Sequence, residues 1–274
     1  MRWLFTLIGM VLLVPRAHSE AYPSRQVKLI VPFPAGSATD QVARLTGSQL
    51  QGALHQPFIV ENKPGAQDFA PVAGLGTTSF MLMVRPDFPA RDLKEFLSHV
   101  KKQPGKLSAG YGSSGSQVSL AMLKSMGRLD VVEVPYKGIP QAITDTMGGS
   151  LAFTFVDLGN ALAQAKGGKL RGLAVTSAKR TPLAPDVPAL AEELPGYELI
   201  AWFGLVAPAK TPNEVVRKLH DATVRGLAKS EVKEKFAAIG TDVAPLNPAE
   251  FARFIQAEIA HWATLVKLAG IEPE

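Results

Sequence analysis

From Tyr22 almost to its end, the chain alternates short apolar runs rich in β-branched residues with amphipathic stretches of helical period. Such alternation restricts it to α/β units built around mainly parallel strands. Residues 27–33, 57–60, 80–84, 107–111, 131–135, 151–156, 170–176 and 199–206 read as strands. Helices are expected through Val42, Leu45 and Leu50, over 92–102, and from the 112–116 loop to Met126. Thr211-Pro212-Asn213-Glu214 and Asn247-Pro248-Ala249-Glu250 have the spacing of capping boxes with proline at the first helical position, so two helices should open there. The last helix carries Phe251, Ile255, Ile259, Trp262 and Val266 on one side, a core stripe unless Trp262 stacks on a cofactor.

The first residues stand outside this pattern. Arg2, an apolar run over 3–14, Pro15 and the small residues Ala17, Ser19 and Ala21 have the layout of a cleaved secretory signal peptide. Cleavage is expected after Ser19 or Ala21; a buried N-terminal helix or a retained anchor are the alternatives. No later stretch is long and apolar enough to span a membrane. With no cysteine there is no disulfide, thiolate chemistry or lipid-bearing Cys. The expectation is a free protein of a bacterial periplasm. The balance of 29 basic against 24 acidic residues is scattered rather than clustered with aromatics, which argues against nucleic acid as a partner.

No catalytic constellation stands out. His55, His99, His220 and His261 show no metal-ligand spacing, although a His/carboxylate site assembled from distant positions stays open. Gly112-Ser113-Ser114-Gly115 approaches a nucleophile elbow, but Ser116 stands where the final glycine belongs. Gly74-Leu75-Gly76 lacks the third glycine and the helix of a dinucleotide fingerprint. Two loops suit binding better. Pro34-Ala35-Gly36-Ser37 joins a strand to a helix, and Ser113–Ser116 repeats the arrangement with added hydroxyls. Helix N-termini present unpaired amides and a favourable dipole to a carboxylate or phosphate. Each loop read alone is also an ordinary βα turn.

The ordered motifs Val31-Pro32-Phe33-Pro34-Ala35-Gly36, Thr39-Asp40, Val60-Glu61-Asn62-Lys63-Pro64-Gly65, Asp68-Phe69-Ala70-Pro71-Val72, Val134-Pro135-Tyr136-Lys137-Gly138, Leu173-Ala174-Val175-Thr176-Ser177 and Trp202-Phe203-Gly204-Leu205 extend over nearly the whole chain after residue 21. Together they resemble the Bug-type receptors of tripartite tricarboxylate transporters. The resemblance implies a two-lobed periplasmic-binding-protein fold of type II, with residues 22–90 and 199–274 in lobe I and 91–198 in lobe II. It implies a non-enzymatic monomer without cofactor or metal that captures a small carboxylate for the membrane subunits of such a transporter. Carried onto this sequence, the ligand contacts are Phe33, Ala35, Gly36, Ser37 and Asp40 in the first loop, Ser113, Ser114, Gly115 and Ser116 in the second, and Asp157. A plain helix cap is the competing role for Asp157. Ser37 stands where relatives commonly have glycine, and Ser119 near where they have histidine. A larger departure follows Pro64-Gly65-Ala66. In relatives a helix and a strand come next; here Gln67-Asp68-Phe69 follows at once, so one helix–strand unit of lobe I is missing. The first strand should then lack a neighbour, unless 80–84 takes the place. Alternative roles are a ligand-presenting partner of a membrane sensor, a truncated remnant that no longer binds, or, further off, a hydrolase.

Overall fold

The structure, a computed structural model, describes residues 22–31, 38–62 and 69–268. Two short parallel strands, β1 (Val27–Val31) and β2 (Phe58–Asn62), are joined by α1 (Ala38–Leu54) and form a sheet of their own. α1 covers one face closely: a Cβ added to Gly47 would lie 3.0 Å from Leu29 Cδ1 and 3.6 Å from Phe58 Cβ. The opposite face carries Lys28, Ile30, Ile59 and Glu61. There Ile30 is 52% and Ile59 42% exposed, and Lys28 Nζ meets Glu61 Oε1 at 2.7 Å.

β3 (Phe69–Val84) is a single strand of 16 residues, of which the sequence reading expected only the last five. Its first part, up to Ser79, pairs antiparallel with β8 (Ile200–Pro208), and Gly74–Thr77 also pairs with β9 (Asp242–Leu246), a strand the pattern did not reveal. Its last part, Phe80–Val84, lies antiparallel between β6 (Phe153–Asp157) and β7 (Arg171–Val175). β4 (Ser108–Tyr111) runs parallel to both β6 and β5 (Val132–Pro135), giving the order β5-β4-β6-β3-β7. Residues 80–84 therefore do not move in beside β1. Among the described residues β2 is the one strand paired with β1.

Helices α2 (Leu93–Lys101), α3 (Ser114–Gly127), α4 (Ile139–Gly148) and α5 (Leu158–Lys166) alternate with β4 to β7, as the sequence pattern predicts. α2 and α3 pack on the largest core, which includes Phe80, Leu82, Phe96, Leu123, Phe153, Phe155 and Tyr197, and α4 and α5 pack on a second one with Met81, Met83, Val156 and Val175. α6 (Asn213–Leu227), α7 (Ser230–Ala238) and α1 pack beside β3, β8 and β9 over two smaller cores. Phe203 and Phe236 lie in one, Leu50, Phe58, Val72 and Leu219 in the other. α8 (Pro248–Leu268) closes the chain. Phe251 and Phe254 hold Trp202 edge-on, at centroid distances of 5.7 and 5.5 Å. Further along, Leu265 enters the large core and Trp262 packs against it, so Trp262 is a core residue. Ile259 of the expected stripe is 60% exposed. Among the described residues no helix is long and apolar enough to cross a membrane.

Candidate functional site

Phe33, Ala35, Gly36 and Ser37 lie outside the described residues. Asp40 is in the first turn of α1 and only 2% exposed. Its carboxylate accepts Arg44 Nε at 2.9 Å, Arg44 Nη2 at 3.0 Å and Asn62 Nδ2 at 3.0 Å. These bonds tie the helix start to the end of β2, and the carboxylate raises the Arg44 pKa above its ordinary value through the hydrogen bond and its charge.

The second loop lies wholly within the described residues. Ser113 is the N-cap of α3 and accepts Ser116 N–H at 3.2 Å. Ser116 is fully buried. Its hydroxyl accepts the amides of Gly112 (3.1 Å) and Ser113 (3.0 Å) and donates to Ser113 O (2.8 Å). That hydroxyl is thus spent on a capping box and has no proton left for a ligand. The Ser114 and Gly115 amides keep no protein partner among the described residues, as expected for the first turn of a helix. Ser119 is buried and donates to Gly115 O at 2.7 Å, an internal back-bond.

Gly115 is dictated by Phe80. A Cβ there would fall 2.2 Å from the ring's Cζ, so only glycine lets the ring lie against the helix start. Phe80 sits opposite Asp157 in the β3–β6 register. Asp157 forms the cap of α5: its Oδ1 accepts Asn160 N–H at 3.2 Å, while Asn160 Nδ2 reaches Oδ1 at 3.1 Å and Oδ2 at 3.0 Å. The helix-cap role is therefore occupied, and the carboxylate remains half-buried at the surface. On the other side, Phe80 N–H donates to Thr176 Oγ1 (2.8 Å) and Thr176 N–H to Phe80 O (2.9 Å). The Thr176 hydroxyl donates onward to Leu199 O at 2.7 Å.

The starts of α3 and α5 thus flank Phe80 at the carboxyl ends of β4 and β6, where open α/β sheets place their ligands. This is also where β3 leaves one set of partners for the other. Ser113, Ser114, Gly115 and Asp157 come together there; Asp40 belongs to the separate β1–β2 unit. Phe80 and Thr176 were not legible as site residues, because a strand aromatic at a site looks like any core aromatic. Among the described residues no histidine is a hydrogen-bond partner of Ser113 or Ser116. A hollow by Tyr136 is a weaker candidate. Its polar groups satisfy each other, Tyr136 Oη donating to Asp145 at 2.6 Å.

Comparison with known proteins places this geometry. The tripartite tricarboxylate transporter family receptor model (TctC) matches residues 66–271. A Rhodopseudomonas palustris protein solved with adipate is 29% identical, with a TM-score of 0.86 over 92% of this chain and 100% of that one. MatC of the same organism, solved with malate, is 30% identical, with a TM-score of 0.78 over 89% and 100%. BugT of Bordetella pertussis is 27% identical over 300 aligned residues, covering 92% of this chain and 91% of its own. The fold is the two-lobed one of periplasmic binding proteins. The chain belongs to the Bug-type receptor family of tripartite tricarboxylate transporters.

Proposed function

We propose that this protein is an exported receptor that captures a small carboxylate between its lobes and presents it to the membrane subunits of a tripartite tricarboxylate-type transporter. The observation that carries this reading is the pair of helix starts about Phe80. The Ser114 and Gly115 amides, which keep no protein partner among the described residues, offer hydrogen-bond donors to an anion. Family members solved with adipate and malate support a diacid as ligand. On this reading the lobes divide within β3, near Ser79 rather than after Ala90, because Phe80–Val84 pairs with β6 and β7, and again at Leu199. Asp40 belongs to the other lobe, and residues 1–21 are removed on export to the periplasm.

One observation favours a second reading, a remnant that no longer closes on ligand. β1 and β2 stand apart from the β3–β8–β9 strands, as they would if a helix–strand unit of lobe I were lost. Thermal melting separates the two. The exported protein, its leader removal checked by intact mass, is melted with adipate, malate, citrate and amino acids. A ligand at 100 times its Kd adds about 2.7 kcal/mol to the folded state, a clear rise in Tm. A rise with a di- or tricarboxylate supports the receptor. No rise with any of them, from a protein that melts cooperatively, makes the remnant the better account.

A further inference from the structure

Two glycines meet backbone to backbone where the halves of the molecule touch. Gly159 is the second residue of α5, beside β6 and β7. Gly240 lies in the turn between α7 and β9, with φ +71°. A Cβ on Gly159 would stand 2.4 Å from the Ile239 carbonyl oxygen. One on Gly240 would stand 2.2 Å from Gly159 N and 2.7 Å from Gly159 Cα. Backbone atoms, unlike the end of a flexible side chain, cannot swing aside. The turn is fastened to β3, since the Thr78 hydroxyl donates to Gly240 O at 2.7 Å. Gly159 also follows Asp157 by two residues, so the contact backs onto the helix start that flanks Phe80.

We propose that the Gly159–Gly240 contact is the stop that sets how closely the two lobes approach behind Asp157. Both glycines are then positioning residues for ligand capture and touch no ligand themselves. The inference rests on the receptor reading. A side chain at either position drives the α5 start away from the 239–241 turn, next to the strand that joins the lobes. A site built from both lobes then loses its closed population, and apparent affinity falls in proportion to that population.

The chain has no cysteine, so one dye can be attached to each lobe through the exposed positions Lys94→Cys and Lys218→Cys. Interlobe distance and adipate affinity are read by energy transfer in the parent, in Gly159→Ala and in Gly240→Asn. Asparagine accepts positive φ, so the second variant adds a side chain with little backbone strain. Gly168→Asn is the control, at φ +64° and with nothing within 4 Å of the added Cβ. The expected result is a longer interlobe distance and about tenfold weaker adipate binding in both contact variants, as when nine-tenths of the closed population is lost. The control should keep the parent distance and affinity. Parent distances in whichever contact variant folds would overturn the proposal. Should the parent bind no carboxylate, the receptor reading fails by itself, and the ligand-free dye distances still decide the contact.

Discussion

Thr176 shows how one side chain can hold a joint together. Its hydroxyl accepts the Phe80 amide at 2.8 Å and donates to the Leu199 carbonyl at 2.7 Å, fully buried, at the point where β3 and the approach to β8 run between lobes. Thr176→Val keeps the shape and removes both bonds. Each buried group left unpaired costs about 1–3 kcal/mol, so a loss of about 2 kcal/mol or more is expected in urea unfolding. A loss under 0.5 kcal/mol would mean that water replaces the hydroxyl or that the joint is dispensable. At this scale the sequence was partly readable. Asp157 at a strand–helix junction announced a cap and forms one. Asn247-Pro248-Ala249-Glu250 announced a capping box and closes it, at 3.0 and 2.9 Å. The same pattern at Thr211 does not, because Thr211 N–H turns back to Pro208 O at 2.9 Å and Pro212 takes the cap position. The Ser113–Ser116 box was illegible, since serine at its third position lacks the reach that makes glutamate the usual signal.

The elements were legible where apolar pattern and flanking loops agreed, as in β4 to β7 and their helices. β3 was not, for its first half contains Pro71, Gly74 and Gly76, residues that weaken a strand. The structure absorbs them as register shifts, between Pro71 and Ala73 and between Gly74 and Gly76. A Cβ on Gly76 would lie 2.2 Å from Asp242 O, so β9 approaches β3 only because that residue is glycine. The sequence led us to expect a missing unit after Ala66, since a link this short cannot hold a right-handed crossover. The β1–β2 pair forms a sheet of its own, and a two-stranded sheet is marginal on its own. Amide exchange should therefore be faster in Val27–Val31 and Phe58–Asn62 than in Val132–Pro135 and Arg171–Val175. Equal, strong protection in all four would show that packing of α1 on α6 suffices to fix the unit, which would remove the physical ground for the remnant reading.

The molecule as a whole carries the outline of what it lacks. Parallel sheets are normally covered on both faces, yet among the described residues α1 covers one face of the β1–β2 sheet and Ile30 and Ile59 on the other are half in water. In the alignment with BugT, 300 positions correspond to 92% of 274 residues, so about 48 BugT positions in total have no counterpart here. A helix and a strand fit within that length. If such a unit were restored, its helix is expected to cover the Ile30 and Ile59 face and its strand to pair with β1. Grafting the BugT segment in place of residues 63–68 tests whether that place is still open. In the chain as it stands, Ile30→Lys should change stability by less than about 0.5 kcal/mol, because the side chain is at the surface. In the graft the same substitution should cost about 2 kcal/mol or more, since burying isoleucine is worth about 1.5–3 kcal/mol and a buried lysine adds its own desolvation. Urea unfolding of the four proteins gives the difference between the two costs directly. If Ile30→Lys costs the same in both backgrounds, the graft does not cover the face, and the lobe has closed over its loss in a way that no longer admits the family's missing unit.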